Sequence, residues 1–176
     1  MSLELQDRLN EILKEIPNAR EGLPLEIFYF ISQLTPMINV DLLIKNEKSE
    51  TLLTWRADRF YGPAWHIPGG IIRFKENIED RVLKVSQSEL GANVRFLPEP
   101  IFVRNLINHT RDIRGHFISM LFLCELTSPL DSSLEAIGGV PAPGQWKWHP
   151  QAPDDLLTNQ EVFRKYINET KPINGL

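Results

Sequence analysis

The sequence predicts an α+β fold, an α/β/α sandwich built on a mixed sheet. Strand-like runs come first, one amphipathic helix lies mid-chain at residues 77–90, and further strands precede a terminal helix. Pro, Gly and Ser gather in what read as surface connections, and no linker separates two cores. With 176 residues, 42% of them apolar, the chain is long enough to bury one substantial core.

Leu3, Leu5, Leu9, Ile12, Leu13 and Ile16 recur near helical spacing, which predicts a helix over 3–16 that Pro17 and Asn18 end. The run EIFYFISQL fits a helix or a strand equally. Residues 39–45 and 51–56 read as strands joined by the turn NEKSE. A short strand at 65–68 enters Gly69-Gly70, where the missing Cβ atoms permit a close backbone approach, and another short strand follows at 71–74. Ile78, Val82, Val85 and Leu90 form the apolar stripe of the central helix, and Gly91 caps it. Strands are expected at 93–96, 101–108 and 116–126. TSPLDSSLEAIGGVPAPG reads as a long surface loop, GQWKWHP as a last strand, and 159–168 as a C-terminal helix. Residues 1–25 then form a helical extension ahead of one domain over 26–176.

A formal charge of -4 argues against a nucleic-acid partner or an anionic membrane surface. The longest apolar stretch is broken by Gln33, Pro36 and Asp41, so no membrane span is expected. The acidic, amphipathic N-terminus does not read as a signal peptide. The one cysteine, Cys124, lies in an apolar run and reads as a small buried hydrophobe. A reducing cytoplasm is the expected compartment.

The densest chemical signal is AWHIPGGIIRFKENIEDRVLKVSQSELGA. Gly70 is followed by five residues and Glu76, then by seven more, Lys84, and the close Ser88-Glu89-Leu90-Gly91. This resembles the Nudix box, with Lys84 at its arginine, Val85 and Ser88 at two of its glutamates, and Glu89 at the third. In LLTWRADRFYGPAWHIPGG and LTPMINVDLLIKN the likeness narrows to GDP-mannose mannosyl hydrolases, whose shortened box KVSQSELG also approaches. It covers approximately residues 26–126 and returns at Lys147-Trp148 and in the C-terminal helix.

The resemblance implies a Nudix fold with a mixed sheet and the Nudix loop-helix. It implies a magnesium-dependent hydrolase, with manganese as a substitute, that splits a nucleotide sugar such as GDP-mannose into nucleoside diphosphate and free sugar. By position, Asp41 would touch the sugar, Arg56 the leaving diphosphate, and Gly69 and Glu89 the metal. Lys84 would be the basic residue of the helix, and His109 would stand near the diphosphate. Arg56 and Lys84 are the catalytic candidates, and a homodimer is implied as well. A single carboxylate suffices for magnesium only when substrate phosphates supply further ligands.

The sequence departs from that pattern at four places. Ile71 follows the second glycine where the family has Arg, Phe117 replaces a Tyr, and Lys84 lacks the planar fork of Arg. VPAPGQWKW offers only Gln145 where the family has a glutamine ligand and a histidine base. Glu135, His116 and His149 are substitute bases to consider, although a solvated loop acid and strand-end histidines account for them better. Arg59 and the tryptophans Trp65, Trp146 and Trp148 read as structural. Two other expectations stay open: a non-catalytic nucleotide-binding module, and a diphosphatase releasing two phosphorylated fragments.

Overall fold

A computed structural model describes residues 3–170, so residues 1–2 and 171–176 of the two expected segments lie outside the described residues. The order of elements is α1 (Leu3–Lys14), α2 (Leu25–Ile31), β1 (Met37–Ile44), β2 (Thr51–Arg56), β3 (Ala64–His66), β4 (Gly69–Ile71) and α3 (Ile78–Leu90). Then come β5 (Val94–Phe96), β6 (Phe102–Ile107), β7 (His116–Leu126), β8 (Trp146–His149) and α4 (Arg164–Ile167), with 3-10 turns at Ser132–Leu134 and Thr158–Phe163. None of the described helices is long and apolar enough to cross a membrane.

Two sheets form. The larger runs β4-β1-β7-β5, with β6 also on β7, and the smaller runs β3-β2-β8. β1 and β7 pair in parallel from Met37–Phe117 to Ile44–Cys124, while every other pair is antiparallel. The larger sheet is therefore mixed, as expected.

Strand alternation divides the core in two. Val40, Leu42 and Ile44 turn toward α3 and meet Val82, Val85, Leu90 and Phe122. Leu43 faces the other way, toward Leu53, Trp65, Ile67, Leu121, Phe163 and Ile167. Coverage on both faces explains why β1 is buried from Val40 to Ile44 even though it carries Asp41.

α3 begins after Asn77 and ends at Gly91, whose φ of 60° is left-handed. Gly91 N–H donates to the Gln87 carbonyl, and Ala92 N–H donates to that of Ser86, which satisfies two otherwise orphaned acceptors. At the other end of the motif, Gly70 presses against the helix. A Cβ there would stand 2.6 Å from Val85 Cγ2. Gly70→Ala is expected to cost about 1–3 kcal/mol by overpacking this junction. A lower urea midpoint with unchanged slope is the expected readout, and an unaltered midpoint would count against the close approach.

One open reading is settled and two expectations change. EIFYFISQL begins as helix, within α2 from Leu25 to Ile31, entered through Pro24, whose carbonyl accepts from Phe28 N–H at 2.8 Å. The second short strand is Gly69–Ile71, because register with Asn39–Asp41 places the glycines inside the ladder; Ile72 N–H still donates to the Ile38 carbonyl at 2.9 Å, and the strand ends there. The expected C-terminal helix is mostly a 3-10 turn, with α only over Arg164–Ile167. Residues 127–144 run at the surface as expected, interrupted by one short 3-10 turn.

Candidate active site

A cavity of about 780 Å³ opens where the two sheets, the end of α3 and the C-terminal 3-10 turn converge. That volume lies within the range of small-molecule sites. Of the sequence candidates, Asp41, Arg56, Gly69 and Glu89 line it. The segment ahead of β1 also reaches it through Ala19, Gly22, Leu23 and Phe28.

Asp41 stands in the middle of β1 opposite Gly69 and is only 2% exposed. Its carboxylate accepts from the Ser119 hydroxyl and, at 3.0 Å, from Gln160 Nε2. Burial pushes it up to about 6, against the pull of hydrogen bonds from Ser119, Asn39 and Gln160. Gly69 is a glycine for a visible reason. Its Cβ would lie 2.6 Å from Asp41 Oδ1 and 2.7 Å from the Val40 carbonyl. Its N–H also donates to the Glu89 carboxylate. Two acids thus flank one glycine.

Glu89, in the last turn of α3, is half-buried. Burial pushes it up to about 7; Arg56 opposes the rise, the Asp41 charge adds to it, and Gly69 N–H and the Thr54 hydroxyl steady the anion. Thr54 also meets His66 Nε2 at 3.0 Å, across the β2–β3 register that sets them opposite each other. His66 Nδ1 lies 2.9 Å from the Ile67 carbonyl, which can only accept, so that nitrogen carries the ring proton. Burial and the nearby Arg56 hold His66 down at about 4, neutral at pH 7. A hydroxyl has one proton, so Thr54 donates to Glu89 or to His66 but not to both at once.

Arg56 is half-buried at the end of β2. Its Nε donates to Asp58 Oδ2 at 2.6 Å, and its guanidinium lies 4.7 Å from the Tyr61 ring centre.

Two candidates are placed elsewhere. Lys84 points to Glu76 at 2.8 Å and lies outside the lining of this cavity. Despite burial, Lys84, the Arg73 N–H and Arg81 hold Glu76 down at about 2. Lys84 therefore neutralises a loop carboxylate, and it is Arg81 of the same helix that reaches both Glu76 and the cavity. His109 is exposed in the turn between β6 and β7 and does not line the cavity. The substitute bases do not line it either. Glu135 is exposed, His116 Nε2 engages Asn105 at 2.6 Å, and His149 is buried against Trp65. Gln145 turns into its own loop, accepting from Ala142 N–H and donating to the Glu135 carbonyl.

Sequence reasoning missed Thr54, His66, Ser119 and Gln160. The first two could have been suspected from polar residues inside otherwise apolar strands. Nothing local marked Gln160, which reaches Asp41 from 119 positions away.

Residues 35–164 match the family model for the NUDIX domain. Solved structures with a similar fold include the MutT NUDIX hydrolase of Burkholderia pseudomallei, at TM-score 0.57 and 18% identity, covering 74% of this chain and 97% of that one. The MutT protein of Methanosarcina mazei Go1 aligns at TM-score 0.56 and 21% identity over 76% of this chain and 94% of its own. A UDP-X diphosphatase aligns at TM-score 0.54 and 17% identity over 93% of this chain and 75% of its own.

Proposed function

Given that the chain belongs to the NUDIX domain family, we propose that it is a hydrolase of a nucleoside-diphosphate sugar, GDP-mannose or a relative, yielding nucleoside diphosphate and free sugar. The observation that carries this reading is the pair Asp41 and Glu89 on either side of Gly69, with Arg56 on the same cavity.

The donor set fits a divalent cation that arrives with its substrate. Two carboxylates raised by burial are relieved by a positive charge. Among the described residues, no group of three or more His, Cys, Asp and Glu could hold an ion unaided. Glu89 and the Gly69 carbonyl would hold magnesium or manganese, with substrate oxygens and water completing the shell. When bound, the ion supplies charge stabilisation to the departing diphosphate.

The chain's own groups divide the remaining work. Arg56 presents guanidinium donors to the diphosphate, where negative charge grows as the bond breaks. Gln160 and Ser119 fix the Asp41 carboxylate, which faces the sugar. A water oxygen bonds to the sugar C1, the C1–O bond breaks, and its electron pair leaves on the diphosphate. The water's proton passes to Asp41, whose position near 6 leaves it mostly ionised and basic enough at pH 7.

A second reading is a nucleotide-binding module without turnover, favoured by Val85 and Ser88 where further acids would stand. Product analysis over a nucleotide-sugar panel, with and without magnesium, separates the possibilities. Free sugar with nucleoside diphosphate is the expected result. Two phosphorylated fragments would assign a diphosphatase instead, and thermal stabilisation without product would assign the binding module. The absence of both binding and product across the whole panel would sink the proposal.

A further inference from the structure

We infer that Arg114 is a second anion-binding residue of this cavity, closing with Arg56 on the phosphates of the bound ligand; this rests on the phosphorylated-ligand reading above. Arg114 lies in the β6–β7 loop, five positions beyond His109, and unlike His109 it lines the cavity.

Its backbone is held in a costly conformation. The φ of 55° is left-handed, a region where a long side chain is sterically unfavourable. Two other elements hold it there. Its N–H donates to Ser32 Oγ at 3.1 Å, and its carbonyl accepts from the Tyr61 hydroxyl at 2.8 Å.

The side chain is placed with equal care; Asp58 acts on it only from beyond ion-pair distance. Its guanidinium lies 5.7, 5.5 and 5.2 Å from the ring centres of Phe28, Phe60 and Tyr61. No carboxylate among the described residues forms an ion pair with it, and its buried Nε has no hydrogen-bond partner. Three guanidiniums crowd one ring, since Arg56 and Arg111 stand 4.7 and 4.3 Å from the Tyr61 centre. Among the described residues, Asp58, bonded to Arg56, is the one carboxylate in an ion pair with any of the three.

Like charges gathered in a half-buried place repel, and the rings compensate for only part of that. Arg111 spends its charge on the Phe60 carbonyl and does not line the cavity. Arg56 and Arg114 do line it, so the charge deficit faces the ligand. An anion carrying at least two charges, a diphosphate in chemical class, satisfies both forks at once.

Calorimetric titration with pyrophosphate, a nucleoside diphosphate and the uncharged nucleoside tests this on the wild type, Arg114→Gln and Arg114→Lys. Arg114→Gln is expected to weaken both phosphorylated ligands about 10- to 100-fold while nucleoside binding stays level. Arg114→Lys, which keeps the charge and loses the fork, is expected to fall between. Equal loss for nucleoside and diphosphate would assign a purely structural role and overturn the inference, as would undiminished diphosphate binding. If Arg114→Gln does not fold, Arg114→Lys against pyrophosphate decides, with wild-type affinity overturning the inference. Failure of the wild type to bind any phosphorylated ligand would defeat the underlying functional reading as well, a result distinct from the others.

Discussion

Glu89→Gln is expected to lower turnover about 100-fold or more while making the metal-free protein more stable at pH 8. The two effects share one cause. In the folded chain burial raises Glu89 to about 7, whereas an exposed glutamate titrates near 4.5. Below about 4.5 the group is protonated in both states and imposes no penalty. Between there and about 7 the unfolded chain has released its proton and the folded chain has not, so stability falls as pH rises. Above 7 the loss is complete, at most about 3 kcal/mol. A glutamine keeps an oxygen for the Gly69 N–H and the Thr54 hydroxyl but never ionises, so it removes that loss together with the charge that attracts a cation. Urea unfolding at pH 5 and pH 8, paired with turnover, checks both halves. A variant less stable than the wild type at pH 8 would contradict the burial of an anion here; one that retains full turnover would contradict its role.

Phe163→Ala is expected to cost about 3–5 kcal/mol, a large part of the 5–15 kcal/mol that stabilises a typical domain. Phe163 is completely buried among Leu43, Leu121, Trp65 and their neighbours, with its ring edge-on to Phe102 at 6.1 Å. It is the anchor of the Thr158–Phe163 turn. That turn carries Gln160, which accepts from Ile67 N–H at 2.6 Å and donates to Asp41. Loosening the anchor therefore also removes a donor from a buried carboxylate, and turnover should fall in samples that are still folded. A midpoint unchanged in denaturant would mean the C-terminal turn is not docked as described.

The fold was legible because its signals are local and repetitive. The apolar run of Val40–Ile44, the stripe Ile78-Val82-Val85 and the left-handed stop at Gly91 each express one physical rule within a few residues. EIFYFISQL was not, since its unbroken apolar run over residues 27–31 marks neither period, and the helix is entered through Pro24. The site divides similarly. Asp41 was visible as an acid in an apolar strand, and Gly69, Glu89 and Arg56 as spaced members of one motif. Thr54 and His66 became partners only through strand register, and Ser119 met Asp41 only through the parallel pairing of β1 with β7. His109 and Arg114 share one loop, and no spacing rule says which end of it faces inward. The backbone geometry at Arg114 does.

The bond between Gln160 and Asp41 also has a temporal meaning. Synthesis delivers Asp41 early and its amide partner 119 positions later, so a nascent chain can hold both glycine-flanking acids long before Asp41 is correctly poised. Premature termination or proteolytic trimming ahead of that glutamine would leave a recognisable scaffold with an unfinished reaction centre. Competence is in effect withheld until synthesis has passed Gln160.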